Sequence, residues 1–275
     1  MLNTEGSKNT NVDMFTFVTA TDGNHGISVS YIANLTNSNC YIFLPQNTPS
    51  SIVTKINSYN AQVKMVDGNY DHAVMEAKKF SEHKDYILIQ DTSWDGYYEI
   101  PVFIMQGYLT MIKETINQLG DEIPSHVIIQ AGVGSFAATI QAYLCNIFGD
   151  MKPKTIIVEP ENANSFLETA KDNQGNIKTV NGDLSTIMNS LSCGKPSPIA
   201  WKILKDNVDV FFSCSDDVAI TGLNMFNNLK LNNSISGTVG LGLLYYLINE
   251  SRSYKKICNH LNLDNNSKVL LFATE

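Results

Sequence analysis

Three short polar segments carry residues able to do chemistry. Thr21-Asp22-Gly23-Asn24-His25-Gly26 follows the β-branched and aromatic run Phe15 to Thr19, and Asp91 follows the similar run Tyr86 to Gln90. Such runs read as buried strands, and residues just past the C-terminal ends of parallel strands face the crevice where open α/β sheets bind ligands. A carboxylate at that depth serves as a general base toward a carbon-bound proton when partial burial raises its pKa. The plainer role of Asp22 and Asp91 is helix capping or turn formation, as for many aspartates after strands. In Gln130-Ala131-Gly132-Val133-Gly134-Ser135, an apolar run ends and a helical pattern begins. Backbone N–H groups at such a junction, together with the positive helix end, suit a dianionic phosphate. The third glycine of a dinucleotide fingerprint is missing, and either glycine turn alone would equally be an ordinary strand-to-helix connection.

The elements that must position these residues alternate along the chain. Strands are predicted at Cys40 to Leu44, Ala61 to Val66 and Tyr86 to Gln90, with helices at Ile27 to Leu35, Ser50 to Tyr59 and Asp71 to Glu82. Asp71 is read as the cap or first-turn anion of its helix. After Gly96 a long amphipathic helix runs from Ile100 to Leu119, with Ile100, Phe103, Ile104, Tyr108, Met111 and Ile112 as its apolar stripe. A second set follows: strands Val127 to Gln130, Thr155 to Val158, Val210 to Ser213 and Lys268 to Phe272, and helices Ser135 to Phe148 and Thr238 to Asn249. Single helices between short strands imply right-handed crossovers and parallel sheets. No internal repeat is visible, and Asn227 to Asn233 reads as a polar loop. The expected organisation is a small α/β unit at 1–99 and a large one at 100–275.

Composition sets the outer limits. With 275 residues and 43 % hydrophobic content the chain is long enough for a sizeable core. A net charge of −8 with scattered basic residues argues against a nucleic-acid partner. The 5 cysteines are odd in number and widely spaced, as in a reduced cytosolic protein, and they suggest no metal site. No apolar run is long enough for a membrane span, and the N-terminus lacks a signal-peptide pattern. Glu159 before Pro160 reads as structural, His25 as satisfied by local hydrogen bonds and Cys193 as a small buried hydrophobe.

Taken in order, these segments resemble the tryptophan-synthase-type, or fold type II, pyridoxal-phosphate enzymes. Asp22 ahead of Gly23 makes the resemblance specific to the diaminopropionate ammonia-lyase family. It extends through Asp67-Gly68-Asn69-Tyr70-Asp71-His72, Gln90-Asp91-Thr92-Ser93-Trp94-Asp95-Gly96-Tyr97, Gly182-Asp183-Leu184-Ser185-Thr186, Cys193-Gly194 and Val239-Gly240-Leu241-Gly242. It implies two three-layer αβα domains with mainly parallel sheets, pyridoxal 5'-phosphate as cofactor, and a cytoplasmic homodimer acting on a small amino acid. It further implies Asn24 at the cofactor's phenolic oxygen, Gly132, Val133, Gly134 and Ser135 around its phosphate, and the Thr274 hydroxyl at its pyridine nitrogen. Asp22 and Asp91 would face the substrate, with Asp22 as the base for the D isomer. The implied reaction converts 2,3-diaminopropionate to pyruvate and ammonia by α,β-elimination.

Two departures qualify these expectations. The family's glutamate ahead of its Ser-Gly turn is replaced by Ile235, before Ser236-Gly237. The family's Schiff-base lysine lies a few dozen residues before the Asp-Gly-Asn-His-Gly turn, where this chain has only Lys8, read as a solvated surface residue. The chain is therefore expected to be truncated at both ends, inactive alone, untrappable by borohydride and prone to associate through the bared Ile100 to Leu119 helix. The lysine segment would come from a separate N-terminal chain or be missing. The alternatives are a catalytically silent fold type II module that binds a phosphate ligand, and an enzyme like serine or threonine dehydratase, which Asp22 and Asp91 disfavour.

Overall fold

The computed structural model describes residues 15–82, 86–172, 174–249 and 252–274; Lys8 lies outside them. Strands β1 (Thr16–Ala20), β2 (Asn39–Pro45), β3 (Gln62–Val66) and β4 (Tyr86–Leu88) form one four-stranded sheet in the order β3-β2-β1-β4. All its pairs are parallel, with Ala20 opposite Phe43 and Val18 opposite Leu88. Strands β5 (His126–Gln130), β6 (Lys154–Pro160), β7 (Val210–Cys214) and β8 (Val269–Leu271) form a second parallel sheet in the order β7-β6-β5-β8.

Helices cover both faces of each sheet. In the first, Cys40, Ile42 and Leu44 pack against α1 (Asn24–Leu35) and α2 (Ser50–Asn57), while Val18, Ala20 and Phe43 pack against α3 (Tyr70–Ser81). In the second, Val127 and Ile129 face α4 (Glu99–Leu119), α5 (Ser135–Phe148), α6 (Ser165–Ala170) and α7 (Pro198–Leu204). Ile128 faces the opposite layer of α8 (Asp216–Asn228), α9 (Ile235–Asn249) and α10 (Arg252–Leu261). Successive side chains of a strand point to opposite faces, so a strand covered on both sides is apolar throughout. Replacing the fully buried Ile128 by Ala is expected to cost about 2–5 kcal/mol, read as a lowered urea midpoint.

The inward row of α4 and the end of β4 differ from the sequence expectation, whereas Asp71 is the first-turn anion expected of α3. The inward row of α4 is Pro101, Met105, Tyr108, Ile112 and Ile116, packed on α5, whereas Phe103 is 55 % exposed. Residue 103 lies about 200° around the helix from residue 105, so the two cannot share a face. The cap of α3 is Asn69, whose Oδ1 accepts from His72 N while His72 Nδ1 accepts from Asn69 N; Asp71 sits in the first turn. β4 ends at Leu88 because the buried Gln90 side chain takes over the pairing. Its Oε1 accepts from Ala20 N at 2.9 Å and its Nε2 donates to Ala20 O at 3.1 Å. Cys40, Cys193 and Cys214 are buried free thiols. No helix among the described residues is long and apolar enough to cross a membrane.

Candidate active site

Chain order reverses between β1 and β4 in one sheet and between β5 and β8 in the other. Crevices in doubly wound sheets form at such reversals, outside the C-terminal strand ends. Asp22 and Asn24 follow β1, Asp91 follows β4, Gly132 to Ser135 follow β5, and Thr274 follows β8. The two crevices face each other across one cleft of about 730 Å³, and Asp22, Asn24, Asp91, Gly132, Val133, Gly134, Ser135 and Thr274 all line it. Ser135 Oγ donates to Asp91 O at 2.5 Å, tying the glycine turn to the end of the other sheet.

The glycine turn packs closely against its protein neighbours. Gly134 has φ 91° and precedes α5, and a Cβ there would lie 2.2 Å from Phe166 Cζ. A Cβ on Gly132 would meet Ser190 O at 2.9 Å and Cys193 Sγ at 3.1 Å. Both glycines are therefore required by packing, and the turn they allow leads into the N-terminus of α5 at the cleft, a position whose backbone N–H groups suit an anion. At the β8 side, Gln130 Nε2 donates to Phe272 O at 2.8 Å and more weakly to Thr274 Oγ1 at 3.5 Å. Ser236 and Gly237 of α9 line the cleft, while Ile235 is partly buried against the apolar cluster under α8, α9 and α10. The wall where the family has glutamate is therefore apolar just behind the cleft.

The two aspartates differ in surroundings. Asp91 Oδ1 accepts from Tyr70 O–H at 2.9 Å and from Gln90 Nε2 at 2.9 Å. Asp22 makes no hydrogen bond or ion pair among the described residues; burial, then the negative charges of Asp91 and Asp71, raise its pKa well above the ordinary carboxylate range. Burial first, then Asp91, likewise raises Tyr70, which stays a protonated donor. Tyr70 and Gln90 were not singled out from the sequence as site residues. The available signal was a polar residue ending an apolar run directly before Asp91.

Other residues stand near the cleft for packing reasons. His25 Nε2 lies 2.7 Å from Ile89 O and 3.0 Å from Thr19 Oγ1, so its ring is held locally although it borders the cleft. Cys193 is buried with Tyr70 and Val133, and burial raises its thiol pKa, which keeps it protonated and unreactive. Glu159 accepts from Phe166 N at 2.8 Å and Leu167 N at 2.9 Å, capping the first turn of α6. Replacing Glu159 by Ala would leave both N–H groups unpaired, at an expected cost of about 1–3 kcal/mol each in chemical unfolding. Among the described residues no cluster of histidine, cysteine and carboxylates has the arrangement of a metal site. Among them, too, no lysine or arginine lines the cleft, whose charged residues are Asp22, Asp91 and Glu114.

The chain belongs to the family described as pyridoxal-phosphate dependent enzymes, whose pattern matches residues 6–245, and within it to the diaminopropionate ammonia-lyases. It is 38 % identical over 268 residues to diaminopropionate ammonia-lyase of Salmonella typhimurium, covering 94 % of this chain and 66 % of that one. It is 34 % identical over 281 residues to the Escherichia coli enzyme, covering 100 % of this chain and 70 % of that one. The crystal structure of the holo Escherichia coli enzyme superposes with a TM-score of 0.89 at 33 % identity, covering 97 % of this chain and 68 % of that one. The chain thus spans about two thirds of the length of these relatives. The fold is type II, and the cofactor of this family is pyridoxal 5'-phosphate.

Proposed function

We propose that this chain carries the machinery of a 2,3-diaminopropionate ammonia-lyase. The observation that supports it is the unpartnered Asp22 carboxyl in one cleft with Asp91 and the Gly132 to Ser135 turn. In this reading the N–H groups of Gly132 to Ser135 would hold the cofactor's phosphate, with Asn24 at its phenolic oxygen and Thr274 at its pyridine nitrogen, as the family resemblance implies. When bound, the cofactor supplies an electron sink for the pair freed at the substrate's Cα. Asp22 takes the Cα proton of the D isomer onto its carboxylate. Asp91, fixed by Tyr70 and Gln90, faces the protonated β-amino group and holds its positive charge until the Cβ–N bond breaks and the group leaves as ammonia. The enamine then hydrolyses in water to pyruvate and a second ammonia. An acidic cleft lined by no cation among the described residues suits a substrate with an extra ammonium group. The test is pyruvate formation from D- and L-2,3-diaminopropionate by the chain supplied with pyridoxal phosphate; turnover of serine or threonine alone would favour a dehydratase.

One observation favours a second reading, a phosphate-ligand-binding module without catalysis: the cleft has no lysine among its described residues. Borohydride reduction with pyridoxal phosphate, followed by peptide mapping, separates the two. Labelling of a single lysine supports the enzyme, and no specific label supports the module. From the family resemblance we also assign the chain to the cytoplasm, as a homodimer able to pair with a lysine-bearing segment, with its two units meeting near residues 96–99. Sedimentation and limited proteolysis test these assignments.

A further inference from the structure

Asp91 is anchored from both sides of the cleft. Its Oδ1 accepts from Tyr70 O–H at the start of α3 and from Gln90 Nε2 after β4, and Gln90 is itself fastened to Ala20 of β1. Its main-chain oxygen accepts from Ser135 Oγ at 2.5 Å, and Ser135 opens α5 beside the second sheet. The connection continues at Ser93. Ser93 N donates to Ser197 Oγ at 3.1 Å and Ile199 N donates to Ser93 Oγ at 3.2 Å, so a residue that follows β4 caps the first turn of α7. Ser197 N in turn donates to Val133 O at 2.9 Å, inside the glycine turn. Ser93, Ser135 and Ser197 are all buried. Residues 90–93 thus form a strap fastened to β1 at one end and to the glycine turn and α7 at the other.

We propose that the Ser135 side chain is a positioning residue for Asp91 and not a ligand of the phosphate. A hydroxyl has one proton to donate, and Asp91 O has none, so the Ser135 proton is spent on that carbonyl. A phosphate dianion only accepts, and the side chain could hold it only by giving up Asp91. The backbone N–H groups at the start of α5 serve an anion without that exchange. A ligand seated on them fixes the Ser135 backbone, the hydroxyl fixes the Asp91 peptide, and Tyr70 with Gln90 fixes the direction of the carboxylate. The turn that receives the phosphate and the carboxylate that faces the substrate are thereby held in one register. That Asp91 faces the β-amino group rests on the lyase reading above; the coupling of the turn to Asp91 does not.

Two measurements on the full chain and its Ser135→Ala variant test this role, and neither needs turnover. In hydrogen exchange without ligand, the amides of residues 90–95 should exchange about tenfold faster in the variant, while those of β5 keep their rate. Unchanged exchange at 90–95, or faster exchange in β5 as well, would overturn the proposal. In equilibrium dialysis the probes are the borohydride-reduced adducts of pyridoxal phosphate with D-2,3-diaminopropionate and with D-alanine, which differ only by the β-amino group. Wild type should prefer the diaminopropionate adduct by about tenfold, the variant should lose that preference, and the alanine adduct should bind to both within about threefold. Equal weakening of the two adducts would put the hydroxyl on the phosphate and overturn the proposal, as would an undiminished preference. A wild type without preference, with exchange at 90–95 still quickened in the variant, would refute only the lyase reading of Asp91. A preference kept by both proteins, with unchanged exchange, would refute only the positioning role.

Discussion

Replacing Asp22 by Asn is expected to lower kcat/KM for D-2,3-diaminopropionate by about 10²–10⁴-fold, the contribution of a positioned general base. Asn keeps the shape and cannot take up the proton. Turnover of the L isomer, assigned by family resemblance to a lysine, should fall far less when the chain is paired with a lysine-bearing segment. Stability should hold or rise, because Asp22 has no partner among the described residues to lose and stands among like charges from Asp91 and Asp71. Loss of activity without loss of stability separates a catalytic role from a structural one. The pH profile supplies an independent check. Burial first, then those two charges, favours the protonated acid, so the Asp22 pKa is raised. A base works only when ionised, so activity should fall as pH drops through a limb lying above the ordinary carboxylate range. A limb within that range, or one that persists in the Asn variant, would remove Asp22 from the proton transfer.

Much of this arrangement is legible in the sequence, because strand and turn chemistry are local. β1, β2 and β5 are apolar runs bounded by turn residues, and α5 begins and ends where its periodicity predicts, at Ser135 and Phe148. What escapes the sequence depends on distant partners. Gln90 reads as the last residue of a strand, yet its side chain replaces the strand by pairing with Ala20, 70 residues away. The inward face of α4 is set by its contact with α5, and a helix with apolar residues on several sides does not declare which row will be buried. The repeated strand order of the two sheets is likewise invisible, because topology repeats here without repetition of residues. The unpaired state of Asp22 is a property of three-dimensional surroundings, while its position after β1 is a property of sequence.

The other large effect is expected from Gly134→Ala. Its φ of 91° lies in the left-handed region, where a side chain costs about 1–2 kcal/mol. The added Cβ would lie 2.2 Å from Phe166 Cζ, and that ring is fully buried, stacked on Phe211 with centroids 6.2 Å apart. Phe166 cannot swing aside, and overpacking of this kind adds about 1–3 kcal/mol. The combined loss should be about 2–5 kcal/mol in urea unfolding. Relief of that strain would shift the turn and misdirect the N–H groups at the start of α5. Charge-assisted hydrogen bonds contribute about 1.5–3 kcal/mol each, so losing one should weaken pyridoxal phosphate binding by roughly 10- to 150-fold in equilibrium dialysis. Combining the change with Phe166→Leu makes room for the Cβ and leaves φ unfavourable, so stability should recover in part while binding stays weak. A variant that unfolds more easily yet binds pyridoxal phosphate as tightly as before would place the phosphate away from this turn.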